Sequence, residues 1–166
     1  HIDWSLETER FCTGSDGQPG YCAPGAYNAP TSDLYYEKLG DGRFIDRSGE
    51  AGVSAVKGTG LGVAAADFDG DRLPDLFVAN DGMPDHLWMN RGEWRFEEMA
   101  TRAGCDRDLS GVPKAGMGVT VEDLDDDGDG VDAALATAPA LGTPRPGGAP
   151  VFAGDADELG GVESPK

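Results

Sequence analysis

At 166 residues the chain has room for one ordinary domain, and its 31 acidic against 13 basic residues give a formal net charge of -18. That balance argues against nucleic acid, whose phosphates it would repel, and against anionic membrane surfaces, but it suits divalent cations. Its 26 glycines and 11 prolines mark a chain of many turns, as in all-β proteins of short strands, and no apolar run reaches membrane-spanning length.

The chain begins at His1 rather than Met, so a processed product or a fragment is expected, with any signal peptide lost from view. Residues 1–32 form a turn-rich segment in which Cys12 and Cys22 enclose Thr-Gly-Ser-Asp-Gly-Gln-Pro-Gly-Tyr. In an exported chain a small disulfide loop is favoured there over two free thiols. Cys105 is left over, and a buried small hydrophobe is its expected role.

Residues 33–130 carry an internal repeat. One copy runs from Asp33-Leu34-Tyr35-Tyr36 through Gly40-Asp41-Gly42-Arg43-Phe44 and Ala51-Gly52-Val53 to Gly60-Leu61-Gly62-Val63. The second runs from His86-Leu87-Trp88 through Arg91-Gly92-Glu93-Trp94-Arg95-Phe96 and Ala103-Gly104-Cys105 to Gly116-Met117-Gly118-Val119. Phe44 and Phe96 stand 52 residues apart, and Asp67 and Asp123, which open two acidic loops, stand 56 apart. A period of this size with several short strands per unit points to propeller blades or a related array. The spacing predicts an inner strand over Val63 to Ala66 and a second over Leu76 to Ala79. A third is expected over Leu87 to Asn90 and an outer one over Arg95 to Met99, with hairpin turns at Gly40-Asp41-Gly42 and Arg91-Gly92-Glu93. Leu34, Phe44, Leu87, Trp88 and Phe96 are expected to pack between sheets.

Between the first two strands lies Asp67-Phe68-Asp69-Gly70-Asp71-Arg72-Leu73-Pro74-Asp75, with aspartates at positions 1, 3, 5 and 9. Carboxylates so close repel one another, and a hard cation held by oxygen ligands relieves that repulsion. Ca²⁺ accepts such irregular cages better than Mg²⁺ does. A helix-loop-helix calcium site needs a bidentate Glu at position 12, and that position is Val78. The expected setting is therefore a calcium loop between strands; a solvated acidic turn without metal is the alternative.

The second acidic loop is Asp123-Leu124-Asp125-Asp126-Asp127-Gly128-Asp129-Gly130-Val131. Its ninth position is Val131, and Asp132 comes one residue later, so the cage either closes through Asp132 with a bulge or stays incomplete. From Val131 the repeat is lost. Of the last 36 residues 19 are Ala, Gly or Pro, a composition that buries too little apolar surface to offset ordering entropy. Residues 131–166 are expected to be a disordered tail, and the break in mid-motif reads as a truncated or frame-altered end.

Leu-Tyr-x-x-x-Gly-Asp-Gly-x-Phe followed by Gly-x-Gly-Val-x-x-x-Asp-Phe-Asp-Gly-Asp-x-x-x-Asp-Leu-Phe-Val resembles the FG-GAP/VCBS repeat of integrin α-subunit propellers and of many bacterial secreted proteins. Tyr21-Cys22-Ala23-Pro24 and Ala79-Asn80-Asp81-Gly82 resemble the cartilage-acidic-protein-like group, whose members often carry an ASPIC/UnbV domain. The resemblance spans roughly residues 12 to 130. It implies a calcium-stabilised, non-catalytic, seven-bladed propeller, of which this chain holds about two four-stranded blades. It also implies a secreted, extracellular or periplasmic location and a protein or glycan partner of unnamed identity. Carried over by position, the metal ligands of the first loop are Asp67, Asp69, Asp71, the Leu73 carbonyl and Asp75. Those of the second are Asp123, Asp125, Asp127, Asp129 and Asp132. Family loops carry Gly at the sixth position, where Arg72 stands here; a positive φ there costs Arg some energy.

Enzymatic signals are weak: His1 and His86 are the two histidines, Cys105 has no evident base partner, and no nucleophile elbow or phosphate loop is present. The function expected is a calcium-binding module for adhesion or recognition, without nucleic-acid binding or membrane insertion. The alternative is the scaffold part of a secreted polysaccharide-acting enzyme whose catalytic residues lie elsewhere.

Overall fold

The computed structural model describes residues 2–22, 24–108 and 110–122, together with backbone strands at 133–137 and 151–153. Strands dominate, and each helix is a single turn. The N-terminal segment contains β1 (Cys12–Thr13) paired with β2 (Pro19–Gly20), stapled by a Cys12–Cys22 disulfide. After α1 (Pro24–Tyr27) comes β3 (Thr31–Ser32), then the hairpin of β4 (Tyr36–Lys38) and β5 (Phe44–Asp46). Then follow α2 (Ser48–Ala51), a 3-10 turn (Val53–Ala55) and β6 (Lys57–Gly58), which returns to pair with β3.

The centre of the molecule is a four-stranded antiparallel meander of β7 (Gly60–Ala66), β8 (Asp75–Asn80), β9 (His86–Asn90) and β10 (Phe96–Glu98), each strand beside the next. These are the four strands the repeat predicts, within a few residues at each end. The residues account for them. β7 alternates half-buried Gly62, Ala64 and Ala66 with exposed Leu61, Val63 and Ala65, the period-2 pattern of a strand covered on one face. β8 and β9 are buried almost throughout because they are the central strands and pack on both faces. On one face Phe77, Ala79, Leu87, Met89 and Ala100 form a cluster, joined by Phe68, Met99, Cys105 and Val119. On the other, Val78 and Trp88 meet Ala51 and Val53, with Tyr35, Leu76 and Phe96 against them. Burial pushes the Cys105 thiol up to about 12, so it behaves as the small hydrophobe expected.

The repeat is visible in the hydrogen bonds. β9, β10 and α3 (Ala100–Ala103) lie 52 positions after β4, β5 and α2. Leu39 N–H donates to the Arg43 carbonyl at 2.7 Å, as Arg91 N–H does to Arg95, also at 2.7 Å. Arg47 N–H donates to the Tyr35 carbonyl at 2.8 Å, and Met99 N–H to that of Leu87 at the same distance. This register aligns Tyr35 with Leu87 and Tyr36 with Trp88, so Leu34 corresponds to His86, one residue away from the alignment expected. Two packing expectations are corrected: Leu34 is 63% and Phe44 62% exposed. The β4–β5 pair has no third strand among the described residues, so nothing covers them.

The next unit begins with β11 (Gly118–Glu122), whose backbone comes close to β7 at Gly62. A Cβ on Gly62 would lie 3.4 Å from the Gly118 Cα and from Val119. The backbone of β12 (Ala133–Thr137) pairs with β11, and β13 (Val151–Ala153) with β12. The rest of the segment expected to lack order from 131 onward lies outside the described residues.

Candidate metal centre

The turn from β7 to β8 is the acidic loop, and its chain folds back on its own first carboxylate. Asp67 Oδ1 accepts N–H bonds from Gly70 at 2.8 Å and Asp71 at 3.1 Å, and Oδ2 accepts one from Arg72 at 2.7 Å. Asp71 accepts from Leu73 N–H at 2.8 Å. Positive φ values at Gly70 (76°) and Arg72 (71°) let the backbone curl this tightly. Arg72 therefore adopts a left-handed conformation that glycine takes more readily.

The result is convergence. Oxygens of Asp67, Asp69 and Asp71 lie within 4.8 Å of one another, the one such group among the described residues. The donor set fits a hard cation: all three side chains offer carboxylate oxygens, at the mouth of a turn where water can complete a shell. A positive group already lies against one of them, since the Arg91 guanidinium donates to Asp69 Oδ2 at 3.2 Å.

Asp75 is placed differently. It is fully buried at the start of β8, where Oδ2 accepts Phe68 N–H at 2.9 Å and Oδ1 accepts Asn90 N–H at 2.7 Å. Burial raises its pKa, the two backbone N–H groups pull it back, and the charges of Asp69 and Asp71 raise it further. Asp75 thus ties the loop to β9, and Asn90 Nδ2 adds a second tie to the Pro74 carbonyl at 3.0 Å. Asp123, Asp125, Asp127, Asp129 and Asp132 lie outside the described residues.

Sequence reasoning missed Asn90 and Arg91. The signal was topological: in a meander the first and third turns fall at the same end of the sheet, so the residues opening the β9–β10 hairpin must stand beside the acidic loop. His86 is buried as well, 3% exposed. Its Nδ1 lies 2.9 Å from Asp33 Oδ2, which also accepts the Trp88 indole N–H at 3.0 Å. That carboxylate links the β4 lead-in to β9.

Residues 67–132, from the first aspartate of one acidic loop to the last of the other, match the family model of the FG-GAP-like repeat. The chain is similar to cartilage acidic protein 1 of Xenopus tropicalis, 32% identical over 88 residues, a match covering 45% of this chain and 14% of that protein. It is also similar to cartilage acidic protein 1 of Homo sapiens, 35% identical over 72 residues, covering 42% of this chain and 11% of that protein. The chain therefore spans only a small part of these relatives. Among the described residues no helix is long and apolar enough to cross a membrane. The blade, its turn and the match together identify residues 67–132 as an FG-GAP-like repeat.

Proposed function

We propose that this chain is a calcium-binding, non-catalytic recognition module of the propeller type, exported from the cell, in which the ion fixes the β7–β8 turn and the blades face a protein or glycan partner. One observation carries the reading: three carboxylates that would repel one another converge at a strand-to-strand turn. The Asp67 and Asp71 side chains are oriented by the loop's own N–H groups, so the acceptor cup is preformed. The Cys12–Cys22 disulfide supports export to an oxidising compartment. The likeness to cartilage acidic protein 1 supports an extracellular role.

When bound, the ion would supply positive charge to Asp67, Asp69 and Asp71, with Asp75 anchoring the base of the loop. Calorimetry with Ca²⁺ is expected to show binding, with a dissociation constant as weak as ~10⁻⁴ M for an extracellular module. Replacing Asp69 and Asp71 together by Asn should abolish most of the heat. Unchanged heat in that double variant would place the ion elsewhere and overturn the reading.

A further inference from the structure

We infer that Arg91 is a built-in counter-ion that competes with calcium for the acidic loop and sets its affinity. This rests on the calcium reading above and goes beyond it by assigning a role to a residue outside the loop. Arg91 opens the β9–β10 hairpin, directly after Asn90, whose N–H is bonded to Asp75. That bond fixes where the Arg91 backbone stands relative to the loop. From there the guanidinium spans two carboxylates, with Nη1 on Asp69 Oδ2 at 3.2 Å and Nε on Glu97 Oε2 at 3.1 Å. Glu97 lies on β10, opposite Met89 across the hairpin, and is not part of the acidic loop.

The two contacts make a switchable arrangement. Without metal, Arg91 offsets part of the mutual repulsion of Asp67, Asp69 and Asp71, so the loop keeps its shape. When a divalent ion takes Asp69, the Nη1 contact to Asp69 is lost and the guanidinium stays tethered through Nε to Glu97. Arg91 then remains close enough to repel the ion. Both effects act in one direction: the charge stabilises the metal-free loop and weakens the metal-bound one, so calcium affinity is lower than the carboxylates alone would give. The Arg91 side chain is 40% and that of Asp69 33% exposed, so water and salt screen the interaction and the effect is moderate. Leu39, the residue 52 positions earlier, carries no charge, so the device belongs to this turn and not to the repeat as such.

The test is calcium titration of the chain and of Arg91→Gln, paired with thermal melts in chelator. Gln keeps the length of the stem and removes the charge. Arg91→Gln is expected to bind Ca²⁺ roughly three- to tenfold more tightly at low salt, with the gap narrowing as salt rises. In chelator the same variant should melt at a lower temperature, and this loss should shrink in an Asp69→Asn background, where the pair with Asp69 is already broken and only that with Glu97 is left to lose. Equal affinities for the two proteins would overturn the competition while leaving the calcium site standing. Absence of calcium heat from both would sink the site itself and the competition with it. A melting loss unchanged by Asp69→Asn would show that Arg91 acts through Glu97 alone, which also overturns the inference.

Discussion

The two hairpins β4–β5 and β9–β10 share turn bonds, following helical turn and register, yet one is exposed and the other buried. Trp88 is 2% exposed, while Tyr36, its counterpart 52 positions earlier, is 51% exposed. Phe96 packs against the Val78–Trp88 cluster; its counterpart Phe44 faces solvent. The difference lies in the neighbours. β9 lies between β10 and β8, with β7 beyond β8, whereas β4 pairs with β5 alone among the described residues. Local sequence determines the hairpin, and burial is set by what stands next to it in the sheet.

The contrast is tested most severely by matched truncations. Trp88→Ala removes a fully packed indole and its bond to Asp33, and should cost roughly 3–5 kcal/mol in chemical unfolding. Tyr36→Ala should stay within about 0.5 kcal/mol, as surface changes do. Similar losses at both positions would mean that β4 is covered as β9 is. Phe96→Ala against Phe44→Ala should give the same ranking with a smaller gap, because Phe96 is only half-buried and its ring meets Tyr35 at 5.2 Å between centroids.

Asp33 and Asp85 extend the comparison to charge. Asp33 faces His86 and Trp88, whereas Asp85, 52 positions later, is 7% exposed with its Oδ1 bonded to Asn80 N–H at 2.6 Å. Burial pushes Asp85 from 3.8 up to about 6, against the pull of the Asn80 N–H and His86 and with the charge of Asp106 adding to the rise. A raised carboxyl pKa gives stability that is complete below about pH 4 and is lost as pH rises through about 6. Asp85→Asn keeps an acceptor for Asn80 and cannot ionise. Its melting temperature should therefore gain on the parent's across that window and run parallel to it outside; a constant offset at all pH values would contradict the assignment.

Much of the blade was legible because alternation in β7 and apolar runs in β8 and β9 bracket the acidic loop. The convergence of Asp67, Asp69 and Asp71 was legible because alternate residues of a turn point the same way. Leu34 and Phe44 were misjudged because their burial depends on strands that their own sequence does not encode. The one-residue shift of Leu34 shows how a shared Leu can mislead where backbone pairing decides the register. Asn90 and Arg91 were invisible to motif reading, since their role follows from which turns share an end of the sheet. The pairing of β3 with β6 was hidden for a related reason: two-residue strands carry no periodicity.

The central claim is that the acidic turn holds a divalent ion, and amide chemical shifts recorded during a calcium titration test it most directly. Gly70, Asp71 and Arg72, whose N–H groups are bonded to Asp67, should shift first and together, with Asn90 and Arg91 following through Asp75 and Asp69. Shifts spread evenly over the many surface carboxylates, or none at residues 67–75, would contradict it.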